Sequence, residues 1–295
     1  MLKTNNWIYL DVEKTGCTFL RTKLQKIYGE SHFENIQKHL PPLYKYDIPK
    51  IITIRKAESF YFSLWSYGVD SQGGFYKLIK AFYPEKIDKF YKSDSKDCFS
   101  YFLDFALSLP FRYPKMRFSR KNIFSIASNL KLLNGPNKRK IETQKNYISR
   151  VFLQQKWLPD SSDIYTSRIL EMLIPKSERK GFIENLKADF SSENLKCNLK
   201  QYLPEIILRT SSLNEDFYAY YQKNKLDFLN LPSNWQEIFP LNSVPINRSK
   251  ISSSKLKSEK LESYLSQYHR ELIKCKSNIS NFLLQKAEEK IKTVN

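Results

Sequence analysis

The sequence predicts an α/β fold built on a parallel sheet, and three observations carry that expectation. Trp7–Val12 is a short apolar run rich in aromatic and β-branched residues, as a buried strand requires. Lys50–Arg55, "KIITIR", is a second continuous run of the same kind. Phe19–Tyr28 and Glu58–Tyr67 place apolar residues at helical spacing, with Leu20, Leu24 and Ile27 on one face of the first. A further strand is expected near His32–Gln37. Strand, helix, strand, strand and helix within about seventy residues is the order that right-handed crossovers give parallel strands.

Beyond this core, Asp97–Leu109 reads as an amphipathic or buried helix, and Asn134–Asn146 as a loop rich in turn formers and positive charge. The segment "SDIYTSRILEMLI", ending at Ile174, has the composition of a short strand. Ser177–Phe190 has helical spacing, and Ile206–Tyr221 repeats the order of strand, Ser-rich turn and helix. Leu231–Asn247, rich in Pro and Asn, is expected to be an ordered loop. A long basic helical segment over 256–291 closes the chain, with Leu261, Leu265, Leu272, Phe282 and Leu283 as its apolar positions. No repeat or linker divides the sequence, so one domain over 1–295 is expected.

A chain of 295 residues can bury a full core, and its 41% hydrophobic and 15% aromatic content excludes a disordered protein. No apolar run approaches the ~20 residues that span a bilayer. Trp7–Val12 is too short for the apolar region of a signal peptide, so a cytoplasmic location is expected. Cys17, Cys98, Cys197 and Cys275 stand far apart without a C-x-x-C pair. With His32, His39 and His269 as the sole histidines, they predict reduced thiols and no structural zinc. Lys and Arg outnumber Asp and Glu 49 to 30, and a net charge of +19 attracts nucleic acid, membrane surfaces, anionic glycans and nucleotides alike.

The first strand runs into Lys14-Thr15-Gly16-Cys17-Thr18 and then into a helix. A Gly-containing turn ahead of a helix N-terminus lets backbone N–H groups converge on one anion. Lys14 adds a mobile charge, and Thr15 and Thr18 add hydroxyl donors. The common phosphate loop, in which Lys follows the second Gly, is absent. Arg55 ends the next apolar strand, where open parallel sheets place ligands, and its planar fork suits a phosphate. Ser63 follows eight residues later, about two helical turns on, within reach of the same anion.

These two motifs, in this order and spacing, resemble the donor site of the sulfotransferases that use 3′-phosphoadenylyl sulfate (PAPS). The run from Arg55 through "SLWSYG" is closest to the family's carbohydrate-acting branch. "IILRTSSLNEDF", "VPINRSK" and "YHRELIKCKSNISNFLL" are similar to its late strand, its Asn-x-Ser and its closing helix. The resemblance implies a three-layer α/β/α fold with a central parallel sheet and a P-loop-like nucleotide-binding core in residues 1–70. It implies a divergent, mostly helical insertion over 76–163 as well. Lys14 would touch the phosphosulfate, Thr15, Gly16, Cys17, Thr18 and Phe19 would offer donors, and Arg55 with Ser63 would hold the 3′-phosphate. PAPS would be the donor, PAP the product, and no metal would be needed. Two positions depart from the family: Glu13 stands where Pro is common, and Lys56-Ala57 where Asp-Pro or Asn-Pro is common.

The acceptor hydroxyl needs a base, and His39 falls just after the expected second strand, at the same sheet edge as Lys14. It fits equally well a loop histidine before Pro41-Pro42, and His32 and Glu34 are runners-up. The acceptor is expected to be a carbohydrate or other hydroxyl compound. An anionic glycan would account for the charge, and so would low-GC coding, which favours Lys, Asn, Ile, Tyr and Phe. Two other classes compete. A nucleotide or small-molecule kinase would use a similar strand-cradle-helix, with Mg²⁺. A basic nucleic-acid-binding protein would use the charge and aromatics alone.

Overall fold

The computed structural model describes residues 1–34, 38–112, 163–186, 192–243 and 254–292. Its sheet has four strands in the order β1 (Leu2–Lys3), β2 (Ile8–Leu10), β3 (Lys50–Ile54) and β4 (Ile206–Arg209). β2, β3 and β4 run parallel, with Tyr9 opposite Ile51 and Ile51 opposite Ile206, while β1 pairs antiparallel with β2. The sheet is therefore small and mixed. Tyr9, Ile51 and Ile206 share one face, and Leu10, Ile52 and Ile207 share the other; all six are buried. Burial on both faces is why these strands read as unbroken apolar runs.

The helices are α1 (Cys17–Tyr28), α2 (Ala57–Val69), α3 (Gly73–Phe82), α4 (Ile87–Tyr91) and α5 (Lys96–Arg112). Then come α6 (Ile164–Leu173), α7 (Arg179–Leu186), α8 (Ser192–Leu199), α9 (Leu213–Gln222) and α10 (Trp235–Ile238). α11 (Ser254–Tyr264), α12 (Gln267–Lys276) and α13 (Asn278–Lys292) close the chain. Among the described residues, no helix is long and apolar enough to cross a membrane.

Several expectations change. Glu30–His32 forms a single 3₁₀ turn after Gly29 (φ +77°), and the described residues of His32–Gln37 hold no strand. The Glu34 N–H donates to the Lys3 carbonyl (2.8 Å) and its carboxylate pairs with the Lys3 ammonium, and residues 35–37 lie outside the described ones. The segment ending at Ile174 holds helix α6, which is buried on almost every side, Arg168 alone being half-buried, so its apolar residues mark out no single helical face. The closing segment divides into three helices. Ser266 sets one boundary, its Oγ accepting the His269 N–H (3.2 Å) as an N-cap of α12. Leu231–Asn247 includes α10, anchored by buried Trp235. The loop expected at Asn134–Asn146 lies outside the described residues.

The chain forms two compact units. The first comprises Met1–Phe60, Tyr165–Arg248 and Ser277–Asn295, and the second Tyr61–Ile164 and Ser249–Lys276. Two of the four passages between the units fall within α2 and at the first residue of α6, where the sequence shows no linker. In the first unit Trp7, Tyr9, Leu20 and Leu24 join Phe217, Trp235 and Phe239 in one core. α9 and α13 both pack on β4.

In the second unit Phe62, Trp65 and Phe99 form an aromatic cluster, with Trp65 and Phe99 centroids 5.1 Å apart. The Trp65 indole N–H donates to the Phe90 carbonyl (2.7 Å), satisfying a buried donor. Gly68 leaves room for Tyr91: a Cβ there would stand 2.1 Å from the ring's Cε1. Gly68→Ala is therefore expected to lower stability by about 1–3 kcal/mol through overpacking, read as a lower denaturant midpoint.

Candidate functional site

The site grows from the carboxyl end of β2. After Leu10 the chain passes through Asp11, Val12 and Glu13 and enters a loop with two left-handed residues, Lys14 (φ +63°) and Gly16 (φ +80°). α1 starts directly after them. Glycine suits position 16 on two counts, since a Cβ would also meet Leu213 Cδ1 at 3.3 Å and Thr210 Cγ2 at 3.4 Å. The N–H groups of Phe19 and Leu20 donate to the Gly16 carbonyl (3.0 and 3.2 Å). Those of Thr15, Gly16, Cys17 and Thr18 have no acceptor among the described residues. Four such donors at the positive end of a helix suit a polyoxyanion.

β3 delivers the second cation. Arg55 Nη1 donates to the Lys14 carbonyl at 2.9 Å. The Arg55 backbone is pinned by one hydroxyl: its N–H donates to Tyr165 Oη (2.8 Å), which donates to the Arg55 carbonyl (2.9 Å). Tyr165 stacks on Phe60, centroids 4.1 Å apart. β4 closes the group, with Thr210 Oγ1 2.8 Å from the Thr15 carbonyl and 2.9 Å from that of Ile54.

The electrostatics follow from this crowding. Burial pulls the Lys14 ammonium below the usual lysine range; Arg55 pushes the same way, and Glu13 and Cys17 oppose it. Burial lowers the Arg55 guanidinium too, against Tyr165 and Cys17. Two partly desolvated cations side by side are favoured by an anion between them. Glu13, the departure beside Lys14, faces Arg168 of α6 (3.8 Å), which also reaches Glu171 (3.5 Å).

Each expected donor has a definite place. The Thr15 hydroxyl is buried and donates to the Val12 carbonyl (2.8 Å). It also lies 2.7 Å from Thr53 Oγ1, which lies 3.0 Å from Tyr9 Oη. With its one proton on Val12, Thr15 must accept from Thr53, and Thr53 from Tyr9. The Thr15 side chain thus braces the loop, and its N–H is the group left for a ligand. Thr53→Val breaks this chain at both ends, leaving the buried Tyr9 hydroxyl without its acceptor. The expected loss is about 1–3 kcal/mol of stability, measured by chemical denaturation.

Cys17 is buried and its thiol is pushed up to about 12, by burial first and then by Asp11 and Glu13. It stays a protonated core group and contributes only its N–H. The Phe19 ring packs edge-on to Phe239 (5.7 Å) and its N–H is already bonded within the turn. Thr18 is half-buried, its hydroxyl bonded to the Cys17 side chain. Ser63 lies buried two turns into α2, in the second unit.

His39 is at the same end of β2. It has φ +53°, its N–H donates to Asp11 Oδ1 (2.9 Å), and its Nδ1 lies 2.7 Å from the Asp11 carbonyl oxygen. Asp11 is buried and pairs with Arg21 (2.7 Å) and the Met1 ammonium (2.8 Å). Of the runners-up, His32 stacks on Tyr28 at the far end of α1, and Glu34 pairs with Lys3. The first unit therefore brings Lys14, the Thr15–Thr18 amides, Arg55 and His39 to the carboxyl ends of β2 and β3. Asp11, Tyr165, Arg168 and Thr210 join them; the last three arrive from over 100 residues away, so no local pattern assigns them to this site. Against protein-family models, curated proteins and solved structures alike, the chain finds no match.

Proposed function

We propose that this protein transfers a sulfuryl group from PAPS to an acceptor hydroxyl, of a carbohydrate or glycoconjugate. The observation that carries the reading is the 2.9 Å bond from Arg55 Nη1 to the Lys14 carbonyl, which sets the cation of one strand against the loop of its neighbour. A donor carrying phosphates on both the 3′ and 5′ positions of its ribose needs two such cationic groups close together. In this reading the Thr15–Thr18 amides hold the phosphosulfate, Lys14 neutralises charge developing on the departing phosphate, and Arg55 binds the 3′-phosphate. The donor supplies a sulfur centre whose bond to the bridging phosphate oxygen breaks, with its electron pair, as the acceptor oxygen bonds to it. The acceptor's proton passes to the His39 imidazole. Arg168 supports the reading by facing Glu13, which otherwise opposes an anion beside Lys14.

Calorimetric titration with PAP and ADP tests this, followed by a labelled-sulfate screen of glycans and small alcohols. PAP is expected to bind about 10–100-fold more tightly than ADP, the worth of a charge-assisted phosphate contact. In Arg55→Met that preference should fall to near unity while ADP affinity changes little. No PAP binding by the intact chain removes the proposal, and EDTA-sensitive phosphoryl transfer replaces it with a kinase. Strong salt-dependent oligonucleotide binding without PAP affinity replaces it with a nucleic-acid-binding protein.

A further inference from the structure

Asp11 and His39 carry an inference that rests on this reading and deepens it. A neutral imidazole bears one ring proton, and its position is set by the partner of the other nitrogen. A backbone carbonyl can only accept. With Nδ1 2.7 Å from the Asp11 carbonyl oxygen, the neutral ring carries its proton on Nδ1 and the basic lone pair on Nε2. The backbone of His39 is held as well. It occupies the left-handed region at φ +53°, uncommon for a residue other than glycine, and its N–H is fixed by Asp11 Oδ1 at 2.9 Å.

Asp11 itself has little freedom. Its carboxylate is buried, bound through Oδ2 to Arg21 of α1 and through Oδ1 to the Met1 ammonium. Arg21 is buried too, on the helix whose first turn completes the Lys14 loop. One residue just past β2 thus ties the imidazole to the element that forms the anion cradle. We propose that Asp11 is a positioning residue: it locks His39 into the Nδ1–H tautomer, so that Nε2 is the nitrogen that accepts the acceptor's proton.

The test is a long-range ¹H–¹⁵N spectrum of the intact, ¹⁵N-labelled chain, taken where the rings are neutral. There are three histidines, and the spectra of His39→Gln and His32→Gln assign the His39 signals. The expected result is a protonated Nδ1 and a lone-pair Nε2 for His39. An Nε2–H ring, or the mixture free histidine shows, overturns the inference. Asp11→Ala, which removes the Oδ1 acceptor of the His39 N–H and so releases the backbone that holds the ring against the Asp11 carbonyl, should shift the ring toward that mixture and lower kcat by about 100-fold, with donor KM and PAP affinity within about twofold. Unchanged kcat, or PAP affinity lost in step with it, overturns the positioning role; if this variant does not fold, the wild-type tautomer still decides. The two readings fail separately. Sulfuryl transfer by a protein with an Nε2–H ring removes only this inference. An Nδ1–H ring without transfer from PAPS removes the enzyme reading, and the catalytic use of Nε2 with it.

Discussion

His39→Ala is expected to lower sulfuryl transfer by about 10²–10⁴-fold while PAP affinity stays within about twofold, because a general base acts on the proton in flight and not on the bound nucleotide. The structure gives reason to expect that separation. His39 is fastened to Asp11, whereas the four amides proposed to hold the phosphosulfate belong to Thr15–Thr18, and none of them bonds to His39. Single-turnover transfer and calorimetry on the same preparation measure the two quantities. A variant with wild-type turnover takes His39 out of the mechanism. One that loses PAP affinity as well makes it a structural prop of the loop.

Lys14→Gly is expected to move stability and affinity in opposite directions. The left-handed backbone at Lys14 (φ +63°) costs a non-glycine residue about 1–2 kcal/mol, more than the ~0.5–1 kcal/mol of extra chain freedom that glycine loses on folding. The variant also removes a partly desolvated cation crowded by Arg55. A net gain of about 0.5–1 kcal/mol follows, a rise in Tm of a few degrees for a protein of this size. On the proposed function, PAP affinity should fall by about 10–100-fold, the worth of one ammonium–phosphate contact. Lys14→Ala separates the causes, since it loses the affinity without relieving the backbone. pH gives a second reading of the same group. An anion favours charged Lys14, so affinity is full below the lowered value in the free protein and falls as pH rises through it. Wild-type affinity should therefore decline at a lower pH than an ordinary lysine would give. Equal stability of the glycine and alanine variants sinks the strain argument, and PAP affinity unchanged in both removes Lys14 from the site.

The sequence alone determined two strands, read at Trp7–Val12 and Lys50–Arg55 and found at Ile8–Leu10 and Lys50–Ile54, the helices that follow them, read from Phe19 and Glu58 and found from Cys17 and Ala57, and the loop between the first strand and the first helix. Local chemistry suffices for these: an unbroken apolar run can only be a buried strand or helix segment, and length with β-branching selects the strand. It also singled out Lys14 and Arg55, because both stand at strand ends followed by helices. It misread the segment ending at Ile174, where Ile and Tyr favour a strand in isolation but Ile164–Leu173 forms a helix buried on almost every side, with Arg168 alone half-buried. Only the tertiary structure decided that the Thr15 hydroxyl and Cys17 thiol turn into the core, that Tyr165 pins Arg55 and Thr210 braces the loop, and that Asp11 rather than a neighbour holds His39. Those outcomes depend on which buried donor meets which acceptor across separations such as the 195 residues between Thr210 and Thr15, and no local pattern encodes that pairing.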